Sequence, residues 1–172
     1  METNFPIPPH YKFTFAGGNY NSYFFVTKRG IVYEIKFRAS GYIFDTFPEV
    51  QDHTFEFIIE IIENPHGEAV PFDNLMRDTI AAIFLDFFKT NQQVVVYICD
   101  TSDARGLARF RKFQSWFDTH PESYRFGRYN IGLMEVDGAF FHASPITRAD
   151  NPLAAQIMTK FNELAIRYQQ PK

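Results

Sequence analysis

Apolar and polar residues alternate along the first third of the chain, and this alternation predicts strands. Residues 31–39 and 53–63 alternate with a period of two, which indicates strands with one buried and one wet face. Two earlier apolar segments, residues 11–16 and 20–27, flank Gly17-Gly18-Asn19. Because these turn residues accept positive φ, the pair predicts a hairpin. We therefore expect four strands before the first helix, with a loop of mixed aromatic and acidic residues over residues 41–52 between the third and the fourth.

Apolar residues at helical spacing predict three helices in the rest of the chain. The first has its start signal at Pro71 and Asp73 and extends to about residue 90. The second covers residues 104–118, and the last begins at Asn151-Pro152, a cap followed by proline. Between the first two helices, the continuous apolar run over residues 93–99 predicts a strand buried on both faces.

Two further strands are predicted over residues 125–136 and 139–143, joined by the hairpin dipeptide Asp137-Gly138. The element order is then ββββαβαββα. A strand, a helix and a strand in succession favour a parallel crossover. We predict an α+β protein with one domain over residues 1–172, in which helices pack on a mixed, mostly antiparallel sheet. Residues 1–10 are expected to form a loose N-terminal tail.

Composition narrows the class of protein. The 172 residues include 21 phenylalanines and 9 tyrosines, which favour a globular chain with a substantial core. A formal net charge of −3 argues against a general polyanion binder but leaves room for a local basic patch. The single cysteine excludes an internal disulfide, and no apolar run is long enough to cross a membrane. Because the N-terminus also lacks signal-peptide features, we expect a cytoplasmic protein.

The most informative loop follows the apolar strand and reads Asp100-Thr101-Ser102-Asp103. Two carboxylates three residues apart at the end of a strand are weak candidates for Mg²⁺ ligands. Asp103 is also a good helix cap, and Asp100 near a helix N-terminus is stabilised by the helix dipole. Capping is the commoner use of such residues, so we favour it over a metal site.

The helix after this loop has a core-facing apolar stripe made by Leu107, Phe110, Phe113 and Phe117. On nearly the opposite face it has a basic stripe with an aromatic residue at its edge. The basic stripe and its neighbour are Arg105, Arg109, Lys112 and Trp116. Such a face could clamp a phosphate or a nucleic-acid backbone. Three positive charges are a small footprint on an acidic protein, so we favour arginine forks that pair with the loop carboxylates and fix the corner.

No complete catalytic motif is present. Cys99 ends an apolar strand with no histidine near it in sequence, which indicates a buried thiol rather than a nucleophile. The five histidines lack the spacing of zinc ligands, and no phosphate-binding or dinucleotide glycine motif occurs. We predict no cofactor. The charged face of the early strands mixes both signs and predicts cross-strand ion pairs.

The strand–loop–helix block carries a resemblance to a known family. One part of the block fits the pattern Y-x-C-D-[ST]-x-D-x-R, and the other fits R-x-x-x-F-x-x-W-F. The matching residues are Tyr97, Cys99, Asp100, Thr101, Asp103 and Arg105, followed by Arg109, Phe113, Trp116 and Phe117. With the preceding helix and the aromatic hairpins, the block resembles a family of small Bacteroidota proteins known only as domain of unknown function 6169. The resemblance implies no activity, cofactor or partner.

We expect a small binding protein without catalysis of its own, with another protein as the partner and no membrane contact. Its candidate surfaces are the corner over residues 100–112 and the C-terminal hairpin. One alternative is a metal-dependent phosphoesterase or nuclease that uses Asp100 and Asp103. Another is a nucleic-acid-binding accessory protein whose candidate contacts are Arg105, Arg109, Lys112, Arg125 and Arg128. Partner identity, oligomeric state and strand order are left open by the sequence.

Overall fold

The computed structural model describes residues 7–67, 73–100, 106–129, 131–136 and 138–169. For residues 100, 106, 107, 109, 131–136, 140 and 169, the description covers the backbone alone. No helix within these ranges is long and apolar enough to cross a membrane.

Eight strands of the described chain form one mixed sheet, ordered β1-β2-β3-β4-β5-β8-β6, with β7 also paired to β8. The strands are β1 (Phe13–Gly17), β2 (Ser22–Val26), β3 (Val32–Ala39), β4 (Thr54–Glu63), β5 (Val94–Asp100), β6 (Phe126–Arg128), β7 (Ile131–Val136) and β8 (Ala139–Arg148). β4 and β5 are parallel, and every other pairing is antiparallel. The predicted α+β class and the parallel crossover are confirmed.

The α-helices cover the two faces of the sheet. They are α1 (Pro48–Gln51), α2 (Asn74–Phe87), α3 (Gly106–Thr119) and α4 (Ala154–Gln169). α2 and α3 pack on one face, and α1 and α4 pack on the other. Asp73 caps α2, because its carboxylate accepts a hydrogen bond from the Met76 amide at 2.7 Å, which confirms the predicted start signal.

The core under α2 is largely aromatic. Alternate residues of β3 point into it, as the period of two predicts, and Tyr33, Ile35 and Phe37 are at most 2% exposed. The Phe37 ring stacks on Phe87 of α2 with 3.8 Å between ring centroids. Tyr97 of β5 contacts α3 through a tilted ring pair, with its centroid 3.9 Å from that of Phe113. Burial of these rings is the main force that fixes both helices on the sheet.

A second core lies on the other face of the sheet. Val94 and Val96 of β5 pack there against Ile157 and Phe161 of α4, while Val95 faces the aromatic core. All three valines are fully buried. The continuous apolar run of β5 therefore is buried on both faces, as predicted.

The parallel pair β4–β5 opens toward its carboxyl ends. Pairing extends from Thr54 and Val94 to Phe57 and Tyr97. Beyond that point β4 continues to Glu63 and β5 to Asp100 without pairing to each other in the described chain. Carboxyl ends of neighbouring parallel strands are common places for ligand sites.

Two segments differ from the sequence expectations. Residues 41–52, expected as a loop, contain a 3₁₀ turn (Gly41–Phe44) and the short α1, because their apolar residues pack under the sheet. The strand expected over residues 125–136 is divided into β6 and β7, whereas β8 continues through Pro145 to Arg148. Proline has no N–H to donate, and its carbonyl accepts from Tyr129 at 3.1 Å, where the neighbouring strand is interrupted.

Candidate binding site

The predicted loop–helix corner lies at the end of β5. The Asp100 backbone pairs with Phe141 of β8. The rest of the predicted loop and the first basic residue lie outside the described residues, namely Thr101, Ser102, Asp103 and Arg105. The side chains of Asp100 and Arg109 are likewise outside the description. Magnesium binding and capping at this corner both stay predictions.

Lys112, the residue of the basic stripe whose side chain the structure describes, lies close to Trp116. Lys112 is exposed on α3, and its Nζ lies 5.6 Å from the centre of the Trp116 ring, within cation–π range. Trp116 itself is half-buried. The ring packs against the aromatic core.

Two arginines assigned to the nucleic-acid alternative are engaged within the protein. Arg125 pairs with Glu122 at 3.1 Å. Arg128 pairs with Asp118 at 2.7 Å, and its guanidinium lies 5.1 Å from the centre of the Phe117 ring. With only 10% of its side chain exposed, Arg128 is poorly placed to contact a phosphate backbone. These contacts reduce the basic surface on which that alternative depends.

Trp116 forms part of the wall of an open apolar pocket between α2 and α3. The pocket has a volume of about 50 Å³. We call it the aromatic groove and define it by its lining residues: Arg77, Ile80, Ala81, Phe84, Leu85, Phe113, Trp116, Phe117, His120, Glu122, Ser123 and Phe126.

Two helical stripes make the aromatic groove. Its α2 residues recur at helical spacing from Arg77 to Leu85, and its α3 residues do so from Phe113 to Trp116 and Phe117. The stripes face each other because both helices pack on the same sheet face. Ala81 is the smallest side chain of the lining, so α2 contributes little bulk at its midpoint and the groove stays open.

His120 lies at the rim of the groove in its neutral form. Its Nδ1 accepts a hydrogen bond from the Glu122 amide at 3.2 Å, which leaves the proton on Nε2. Burial lowers the pKa of His120 below its ordinary value, and the nearby carboxylates of Asp78 and Glu122 oppose this only in part. The groove therefore presents an uncharged imidazole near pH 7.

An ion pair stands beside this imidazole. Arg77 donates to the Asp78 carboxylate through Nε at 2.9 Å and Nη2 at 3.2 Å. These hydrogen bonds raise the pKa of Arg77, and Asp78 is only 8% exposed. The opposite charges of the two residues offset each other, and the pair borders the apolar lining of the groove.

Ser123 and His120 are the candidate reactive side chains of the groove. Ser123 and His120 both line the groove, but among the described residues the Ser123 hydroxyl forms no hydrogen bond to His120. An unactivated serine is a weak nucleophile. Within the same ranges, no three His, Cys, Asp or Glu side chains converge as a metal site would require.

The sequence indicated only one lining residue of the aromatic groove, Trp116, as a candidate functional residue. It singled out Trp116 and assigned Phe113 and Phe117 to the core-facing stripe, but it did not mark Ala81 or His120 as functional. The available signal was Ala81, a small residue within an otherwise bulky stripe on α2. That signal is weak without the knowledge that α3 lies opposite.

Comparisons with known proteins place the chain by family. A family model described as "Family of unknown function (DUF6169)" matches residues 72–163, a span that contains both helices of the aromatic groove. No curated protein matches the chain. Among solved structures, a CoA-dependent acyl-homoserine lactone synthase, MesI, aligns with 91% of this chain and 73% of its own, at 11% identity and a TM-score of 0.35. That likeness is too low to carry an argument about function.

Proposed function

The chain belongs to the Family of unknown function (DUF6169), and we propose that it is a binding protein that holds another protein through the aromatic groove. The observation that carries this proposal is an apolar pocket open to solvent whose wall includes Trp116, Phe113 and Phe117. Aromatic pockets of this kind hold the anchor side chains that dominate protein interfaces.

The rim of the groove also fits an interface. Arg77 and Glu122 line it, and Lys112 lies next to Trp116. Charged groups around a dry centre give orientation and specificity, while the buried anchor supplies most of the affinity.

Size favours a protein over a small molecule as the occupant. A volume of about 50 Å³ is well below that of typical small-molecule pockets, which have roughly 300–1,000 Å³. The groove has room for the end of one apolar side chain. Useful affinity then requires further contacts on the surrounding surface, and these a protein partner can make.

Each of the two alternative functions predicts a different measurable property. A phosphoesterase or nuclease that uses Asp100 and Asp103 should be stabilised against heat by millimolar Mg²⁺. A nucleic-acid-binding protein should bind DNA or RNA with a steep salt dependence. The first alternative stays a prediction, because Asp103 and the side chain of Asp100 lie outside the described residues. We do not favour the second, because Arg125 and Arg128 are ion-paired within the fold. We also propose a cytoplasmic location, which the single free cysteine supports.

The test is selection of binding peptides from a display library on the purified protein, with counter-selection on Ala81→Phe, which fills the groove. We expect peptides that share one bulky apolar residue and that bind Ala81→Phe at least about tenfold more weakly than wild type, a loss of about 1.4 kcal/mol. Ala155→Phe is the matched control, because Ala155 is exposed on α4.

The control variant should bind as wild type does. If no peptide is enriched, or if the enriched peptides bind Ala81→Phe as tightly as wild type, the aromatic groove is not the binding site and the proposal is wrong.

A further inference from the structure

A second cleft lies on the opposite face of the sheet from the aromatic groove. It has a volume of about 370 Å³, within the usual range for small-molecule sites, roughly 300–1,000 Å³. It spans the point where β4 and β5 diverge, since Glu56 of β4 and Ile98 of β5 both line it. The 3₁₀ turn after β3 and the C-terminal half of α4 form its walls.

The floor of this cleft is apolar and buried. Val96, Ala143 and Phe161 line it and are at most 1% exposed. Leu164 of α4 and Ile43 of the 3₁₀ turn extend the apolar surface toward the mouth. A hydrocarbon or aromatic body placed here would exchange water for close-packed apolar contacts.

The Arg38 guanidinium lies at the mouth of the cleft, and most of its N–H groups bind no other group among the described residues. Arg38 Nη2 donates to Glu56 at 2.5 Å, and among the described residues no other group accepts from its side chain. Since 47% of that side chain is exposed, the remaining N–H groups are open to a ligand. Tyr42, which is 70% exposed, also lines this mouth and adds a hydroxyl group.

The two carboxylates at the mouth of the cleft each lie next to a guanidinium group of the protein. Glu56 accepts from Arg38, and Asp45 lies 3.8 Å from Arg167. A cationic ligand would compete with these guanidinium groups for the carboxylates. A dianion would meet two negative neighbours, whereas a single negative charge can use the free donors of Arg38.

We propose that this cleft binds a monocarboxylate with an apolar body, whose carboxylate accepts from Arg38 while its body lies on Val96, Ala143 and Phe161. This site is separate from the aromatic groove and does not depend on the protein-binding function proposed for it. Arginine pairs with carboxylates through parallel N–H···O bonds, which explains the preference for a carboxylate over an alcohol.

Calorimetric titration with octanoate, octan-1-ol and octylammonium tests the proposal. We expect octanoate to bind wild type most tightly. The double variant Arg38→Gln/Glu56→Gln should bind octanoate about tenfold more weakly or worse, as expected for loss of a charge-assisted contact. Its matched control is Lys36→Gln/Glu60→Gln, which neutralises the neighbouring ion pair on the same two strands, outside the cleft lining.

The control should bind octanoate as wild type does, and Leu164→Trp, which fills the cleft, should abolish binding. No heat of binding with wild type at millimolar octanoate would overturn the proposal. Equal or tighter binding of octan-1-ol or octylammonium would overturn the choice of a carboxylate. An equal loss in both double variants, or undiminished binding to Leu164→Trp, would overturn the location.

Discussion

We expect His120, which lines the aromatic groove, to make the free energy of unfolding depend on pH. Its Nδ1 is occupied by the Glu122 amide, so protonation of the ring costs that hydrogen bond. Burial lowers its pKa, which means that the unfolded chain takes up the proton first as the pH falls. Below the ordinary histidine pKa of about 6.5, the unfolded state therefore binds more protons, and the free energy of unfolding decreases until the lower folded-state pKa is passed.

We expect His120→Asn to lose less stability than wild type on acidification. An asparagine oxygen can accept from the Glu122 amide as Nδ1 does, but it does not titrate. The measurement is the Tm of both proteins at about pH 7.5 and at about pH 5.5. The ordinary histidine pKa lies between these values, so the unfolded chain takes up its proton in this range. An equal fall in Tm for the two proteins would show that His120 does not carry this pH dependence.

Asp73 connects the start of α2 to the N-terminal segment. One carboxylate oxygen accepts from the Met76 amide and the other from the Tyr11 hydroxyl, each at 2.7 Å. The local sequence predicted the cap, because a cap is a relation between residues a few positions apart. The bond to Tyr11 joins residues 62 positions apart, so it depended on the folded topology.

Asp73→Ala removes both hydrogen bonds, and we expect loss of the cap alone to lower the free energy of unfolding by about 1–2 kcal/mol, or roughly 2–4 °C in Tm for each kcal/mol. Tyr11→Phe removes only the second hydrogen bond and should cost less, about 0.5–1.5 kcal/mol. Thermal unfolding of the two variants separates these contributions. If they melt at the same temperature, the cap contributes nothing measurable to α2.

Among the elements, the connection from β3 to β4 shows where sequence patterns are insufficient. Its mixed aromatic and acidic residues have no helical or strand periodicity, so a loop was predicted. In the structure its apolar residues Phe44, Phe47 and Val50 are buried in the second core. Tertiary burial decides such short segments, whereas the alternation in β3 predicted its buried face directly.

Gly41 permits this connection to fold back on itself. A Cβ atom at Gly41 would lie 2.6 Å from the Gln51 carbonyl oxygen, closer than real contacts allow. We expect Gly41→Ala to lower the Tm because the 3₁₀ turn and α1 must move apart. Gly127→Ala is the control, since its Cβ would meet the Thr147 hydroxyl at an ordinary 3.6 Å. Equal Tm values for the two variants would contradict a close approach at Gly41.

At the scale of the whole molecule, the two candidate binding sites lie on opposite faces of the sheet. The aromatic groove lies on the face covered by α2 and α3, and the second cleft, for which we propose a monocarboxylate ligand, lies on the face covered by α4. The sequence indicated the fold class and the strand–helix corner. It could not indicate either pocket, because each is lined by residues brought together from distant segments, such as Ala81 with Trp116 or Arg38 with Phe161.

The most direct test of the binding function is the fluorescence of Trp116, which is the only tryptophan in the chain. The measurement is its emission during titration with a peptide selected on the wild-type protein. Because an apolar side chain would displace water from the half-buried indole, we expect a saturable shift of the emission to shorter wavelength, with the Kd found by calorimetry. Binding by calorimetry with an unchanged Trp116 emission would contradict the aromatic groove as the site.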